Sequence, residues 1–103
     1  MNKIMKGTTP AVTISVDPDD FLLSNVTKIE LYIMNGESIK TYTGDDLVVD
    51  TSDNSVTKQF TEEETLGLCP KSYIVIQGRF WFSDGNIVGI NPISISVANM
   101  IGV

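Results

Sequence analysis

Apolar and polar residues alternate through most of this chain, and the alternation breaks at turns. In residues 11–16, Val12, Ile14 and Val16 share one side while Thr13 and Ser15 share the other. That two-residue period is the mark of a half-buried strand. Pro10 precedes the segment and Asp17-Pro18 ends it. Asp17-Pro18-Asp19-Asp20 reads as a turn leading to Phe21 and Leu22 as buried anchors. Residues 26–34 alternate again, with Ile29, Leu31 and Ile33 inward and Lys28, Glu30 and Tyr32 outward. Asn35-Gly36 is then a strong two-residue hairpin signal, because both residues tolerate positive φ. The returning strand, residues 37–43, has Ile39 as its inward residue.

Gly44-Asp45-Asp46 makes a further turn, and Leu47-Val48-Val49 is a short strand. A turn at 51–54 leads to a strand over 55–60, with Val56 and Phe60 inward. Residues 72–82 form the longest strand. Ile74, Ile76, Phe80 and Phe82 share its core side. Tyr73, Val75, Gln77, Arg79 and Trp81 share the other. Ser83-Asp84-Gly85 turns the chain, Ile87–Ile90 returns, Asn91-Pro92 breaks, and Ile93–Val97 closes the sheet. About seven or eight strands at this spacing predict an all-β fold, an antiparallel β-sandwich in a single domain over residues 1–103. Residues 10–16 echo residues 92–97, as two strands in one sheet environment would.

One segment departs from the two-residue period. In Thr61-Glu62-Glu63-Glu64-Thr65-Leu66-Gly67, Thr61 and Glu64 fit the capping box, in which hydroxyl and carboxylate each bond the other residue's amide. Glu62 and Glu63 then face the positive end of the helix dipole. The pattern predicts a short helical crossover near residues 61–67, with Leu66 as its buried anchor and Gly67 as its stop. The same run is also the first place to look for catalytic carboxylates. Acid–base pairs need environments that split their pKa values, and adjacent glutamates on a short exposed helix lack that asymmetry.

Composition narrows the chemistry. The chain has 103 residues, no histidine, one cysteine, seven Lys and Arg, thirteen Asp and Glu, and net charge -6. Without histidine, Ser-His-Asp and Cys-His catalysis cannot arise within the chain. A lone cysteine excludes an internal disulfide and a cysteine zinc site, and Cys69 beside Pro70 reads as a small buried residue. The basic residues are scattered, so no phosphate-binding patch forms and direct nucleic-acid binding is not expected. No apolar run reaches the length of a membrane span, and Met1–Lys6 lacks the apolar core of a signal peptide. Turn positions, where an aspartate bonds its own backbone, explain most of the aspartates at 17, 19, 20, 45, 46, 50 and 53, and no EF-hand spacing appears. No metal or cofactor is expected, and no enzyme. The candidate binding surface is the strand face with Tyr73, Gln77, Arg79 and Trp81, an aromatic platform with polar neighbours that suits a protein partner or a sugar.

Three segments carry a resemblance. Lys6-Gly7-Thr8-Thr9-Pro10 leads straight into an alternating strand. Residues 60–66 resemble an LTQEETL segment. Residues 74–79 resemble an IQ-x-R strand, with Gly78 where an apolar residue is usual. In this order, over roughly residues 6–98, they resemble small all-β proteins of Firmicutes phages and prophages and the N-terminal domain of their baseplate upper proteins. The resemblance implies an immunoglobulin-like β-sandwich and a virion, tail or baseplate component acting through protein–protein contacts in an oligomer or assembly with other phage structural proteins. It would be made in the bacterial host cytoplasm and then carried in the virion. Two other readings stand beside it: a phage anti-defence inhibitor that binds a host protein through its acidic surface, and a carbohydrate-binding module using Trp81.

Overall fold

The computed structural model describes residues 3–99. Within these described residues nine strands form two open sheets: β1 Lys3–Met5, β2 Ala11–Ser15, β3 Val26–Asn35, β4 Ser38–Thr43, β5 Val48–Asp50, β6 Ser55–Gln59, β7 Tyr73–Phe82, β8 Ile87–Gly89 and β9 Ile93–Ala98. One α-helix, α1 Glu62–Leu66, links β6 to β7. The larger sheet has six strands in the order β1-β9-β7-β3-β4 with β8 also on β7, and the smaller has three in the order β2-β6-β5. Inner faces of both contribute to one buried cluster, in which Val12, Ile14 and Val56 meet Leu31, Ile74, Ile76 and Phe80. The architecture is therefore all-β and sandwich-like. The strands at residues 10–16 and 92–97 lie in different sheets, not in a shared one, and face each other at one margin of the core.

The alternation read from sequence places most of the core correctly. Val12, Ile14, Val16, Ile29, Leu31, Ile33, Val56, Phe60, Ile74, Ile76 and Phe80 are all buried. Phe82 is half-buried, its ring edge-on to Phe21 at 5.5 Å. Gly78 belongs to the same inner face, and a Cβ there would lie 3.0 Å from Leu31 Cδ2 and 3.1 Å from Phe80. Glycine thus lets the two large side chains close over the centre of β7. An alanine would overpack this point.

Several expectations are corrected. Strand β1 is an addition, and it pairs with β9 in parallel, unlike every other strand pair among the described residues. Ile39 faces outward and is 63% exposed, because the register sets Leu31 opposite Tyr42 and Ile33 opposite Lys40. Even-numbered positions of β4 therefore face the core, whatever their hydrophobicity. The hairpin loop is Gly36-Glu37, with Gly36 at φ 62, and Asn35 is the last residue of β3. Positive φ at the first loop position alone suits a type II′ turn. Asn35 instead spends its side chain on the loop before β7: its Nδ2 donates to Ser72 Oγ and the Tyr73 carbonyl, and its Oδ1 accepts from the Cys69 amide. Cys69 itself is exposed, not buried.

Leu22 is exposed, and Leu23 is the buried anchor beside half-buried Phe21. Asn54 explains the shift. Buried at φ 53, its amide accepts from the Leu23 N–H and donates to the Val16 and Phe21 carbonyls. One side chain thereby fixes the whole 16–23 connection. Asparagine suits the position because it tolerates the left-handed region.

Helix α1 forms as its cap predicts. Thr61 Oγ1 accepts from the Glu64 amide at 3.1 Å, and Glu64 Oε1 accepts from the Thr61 amide at 2.8 Å. Gly67 is its C-cap, in the right-handed region at φ -75. Leu66 is exposed, however, and Thr65 is the buried residue. Thr65 Oγ1 accepts from the Gly7 amide and lies 2.8 Å from the Thr8 carbonyl, so the helix is anchored by hydrogen bonds to the segment that leads into β2.

Candidate functional site on the outer face of the larger sheet

The outer side of β7 carries Tyr73, Val75, Gln77, Arg79 and Trp81, as its period requires. Tyr73, Gln77 and Arg79 are exposed and Trp81 is half-buried. The pairing with β3 sets Lys28 opposite Trp81, Glu30 opposite Arg79 and Tyr32 opposite Gln77. Two strands thus build one cluster. The Arg79 guanidinium lies 4.7 Å from the Trp81 ring centroid, and the Lys28 ammonium lies at the same 4.7 Å. Contacts of this kind stabilise by about 0.5–1 kcal/mol at exposed sites.

Glu30 balances these cations. Its Oε1 accepts from the Tyr32 hydroxyl at 2.5 Å, and its Oε2 lies 3.6 Å from Lys28 Nζ. The Tyr32 hydrogen bond holds the Glu30 carboxyl below its ordinary value; desolvation opposes it, and Lys28 and then Arg79 add lesser lowering effects. The same bond pushes the Tyr32 hydroxyl up. Gln77 Nε2 donates to the Ile90 carbonyl at 3.2 Å, which ties the face to the chain beyond β8.

The four residues singled out from sequence share a face without forming one site. Gln77, Arg79 and Trp81 join Lys28, Glu30 and Tyr32. Tyr73 stands at the other end of β7, opposite Ser96 of β9, roughly 27 Å from Trp81 along an extended strand. Tyr73 has its own apolar surroundings, since Met34 of β3 pairs with Val75 and with Ile39 of β4 across the same face. Lys28, Glu30 and Tyr32 were legible as outward residues, but their pairing with β7 was not. Chemically, the face offers aromatic and aliphatic contact area, two cations and one carboxylate in fixed positions. Such a surface suits docking.

The glutamate run has a different place. Lys58 lies on the inner side of β6 and is 6% exposed. Its Nζ is 3.1 Å from Glu64 Oε2, and 4.1 Å from the centroid of the Tyr42 ring. Tyr42 donates its hydroxyl to Glu64 Oε2 at 2.7 Å. Burial pushes the Glu64 carboxyl up, but hydrogen bonds from Tyr42, the Thr61 amide and Lys58 outweigh it and hold the pKa at about 2. Burial first, then the bond to Glu64, pushes the Tyr42 hydroxyl well up. Glu64 is thereby a capping and ion-pairing residue, while Glu62 and Glu63 are exposed. A cavity of about 130 Å3 adjoins this network, between β4 and α1, with Ile33, Phe60 and Leu68 among its walls.

Some of the turn aspartates bond nearby backbone, Asp46 by accepting from the Thr43 amide. Asp17, Asp50 and Asp84 each accept from the amide two residues on. Among the described residues no three Asp, Glu, His or Cys side chains gather into a metal-holding group. Among the same residues no helix is long and apolar enough to cross a membrane. Compared with known proteins, the chain matches no family model and shows no significant similarity to a curated protein.

Proposed function

We propose that the chain is a non-enzymatic phage or prophage structural or accessory protein, with an immunoglobulin-like sandwich, that docks on other virion proteins of a tail or baseplate. The observation that carries the docking reading is the open outer face of the larger sheet. Tyr73 and Ile39 are 64% and 63% exposed on it, and the Trp81 ring is held there against Arg79 of its own strand and Lys28 of β3. Tyr, Trp and Arg are the residues that most often anchor protein interfaces. The phage assignment rests on the resemblance carried by residues 6–10, 60–66 and 74–79. The sugar-binding reading has less support, because Lys28 and Arg79 lie over the Trp81 ring where a sugar would stack.

Co-sedimentation with phage particles, together with native mass spectrometry of the purified protein, tests this proposal. The expected result is a defined oligomer or a particle-bound fraction that Tyr73→Ala with Trp81→Ala reduces roughly tenfold, as loss of two interface anchors would. A strictly monomeric protein that never accompanies particles would remove the proposal.

A further inference from the structure

The two sheets differ in width. Six strands face three, and one strip of the wider inner face extends past the margin of the narrower sheet. Ile93 marks that strip. In β9, Ile93, Ile95 and Val97 share the inner side, where Ile95 is 3% and Val97 4% exposed but Ile93 is 38% exposed. Two adjoining depressions of about 560 and 290 Å3 lie between β2 and the β8–β9 limb, and Ile93 lines both.

Strand β2 borders this groove as an edge strand. Among the described residues it pairs only with β6. The ladder decides which of its backbone groups are free. The Phe60 amide donates to the Pro10 carbonyl and the Val16 amide to the Asn54 carbonyl. Both pairs continue the β2–β6 register, so even-numbered residues of β2 exchange hydrogen bonds with β6. The N–H and C=O groups of Ala11, Thr13 and Ser15 therefore point to the open side.

Edge strands are ordinarily guarded by charges, proline or shortness. Among the described residues the edge strands of four residues or more are β2 and β4; β4 contains Lys40, whereas β2 contains neither a charged residue nor a proline. An unguarded edge beside an apolar groove is the arrangement to which an extended segment adds as a new strand. The groove also carries a charge signature: Asp17 and Asp20 stand at one end, and no Lys or Arg lines it. A second copy of this chain would bring a further net charge of -6 to that end. A basic partner complements it.

We propose that the β2 edge receives an extended segment of a partner protein as an added strand. Alternate apolar side chains of that segment cover Ile93, and a lysine or arginine meets Asp17 and Asp20. The inference rests on the reading of the chain as a protein-contact module, but it uses a surface separate from the outer face with Trp81.

The probe is a synthetic peptide of about eight residues, a common strand length, with valine and threonine alternating and a lysine at one end. Amide hydrogen exchange of the whole protein is followed with and without it. The expected result is slowed exchange at Ala11, Thr13 and Ser15, with little change at Val12 and Ile14, whose amides are already bonded to β6. Thr13→Pro removes an edge amide while keeping the backbone hydrogen bonds of the β2–β6 ladder, losing only the Thr13–Thr57 hydroxyl contact, and should abolish this protection. Asp20→Lys should weaken binding roughly tenfold and restore it for a peptide ending in glutamate, which also guards against misfolding of the proline variant. Absence of binding, or binding that leaves the odd-numbered amides unprotected, would overturn the proposal. So would concentration-dependent protection of the same amides without peptide, which identifies a second copy as the occupant. Either failure leaves the particle co-sedimentation result standing.

Discussion

The two long margins of this sandwich are finished in opposite ways. On the β4 side, Tyr42 from the larger sheet, Lys58 from the smaller and Glu64 from α1 meet in one network, and the helix covers the seam. On the β2 side, no such bridge spans the layers among the described residues, and Ile93 remains open at an inward position. The closed seam uses charge in a low-exposure setting, which stabilises only while every partner is present. The open seam uses apolar surface and free backbone groups, which favour an added strand. One margin therefore behaves as a fixed joint and the other as a receptive edge.

The sharpest test of that contrast compares two isoleucines on one strand. Ile95→Ala should destabilise by roughly 2–5 kcal/mol, as for a buried isoleucine. Ile93→Ala should cost less than about 1 kcal/mol, because its side chain is already partly in water. Equal losses in urea denaturation would mean that the strip beside β2 is as closed as the centre of the core.

Glu64→Ala probes the closed seam. It strands the Lys58 ammonium, removes the acceptor of Tyr42 and opens the capping box, so a loss of about 3 kcal/mol is expected. A loss below about 1 kcal/mol would show that the network does not hold the margin. The same group sets an acid dependence. Its folded pKa, at about 2, lies below the unfolded value near 4.5. Its contribution is fully present above pH 4.5 and is lost as pH falls toward 2. Unfolding measured across that window should be steeper in the wild type than in Glu64→Gln.

Smaller effects separate the cap from the carboxylates beside it. Thr61→Ala should cost about 1 kcal/mol, the usual loss of an N-cap hydroxyl. Glu63→Gln at an exposed position should stay within about 0.5 kcal/mol and leave partner binding unchanged. Loss of function in folded Glu63→Gln protein would return the glutamate run to candidacy as a reactive site.

Reading the sequence was most reliable where a rule is local. Thr61 and Glu64 sit three apart, and their mutual hydrogen bonds need only that spacing. The alternation of Val12, Ile14 and Val16, or of Ile74, Ile76 and Phe80, needs only a strand with one wet side. Tyr73, Gln77, Arg79 and Trp81 were assigned to one face by the same period. Their division into a Trp81 cluster and a distant Tyr73 required the register with β3.

Hydrophobicity misled where pairing decides the side. Ile39 is the aliphatic residue of β4, yet the inner side of its strand carries exposed Lys40 and half-buried Tyr42. Leu66 gave way to Thr65 because the covered face of α1 meets the backbone of Gly7 and Thr8, where a hydroxyl is satisfied and a leucine would leave polar groups unmet. Lys58 shares the inward parity of Val56 and Phe60, yet by residue type it reads as a solvated cation until the ring of Tyr42 and the carboxylate of Glu64 arrive from elsewhere in the chain.

The sequence by itself determined the strand-rich composition of the fold, the capped helix, the faces of the long strands and the absence of histidine chemistry, because each follows from residue type and short-range spacing. Tertiary structure alone decided the parallel β1–β9 pair, the three-partner network at Lys58, and the unequal widths that leave β2 and Ile93 open. Those features depend on which distant segments become neighbours, and a two-residue period carries no information about that.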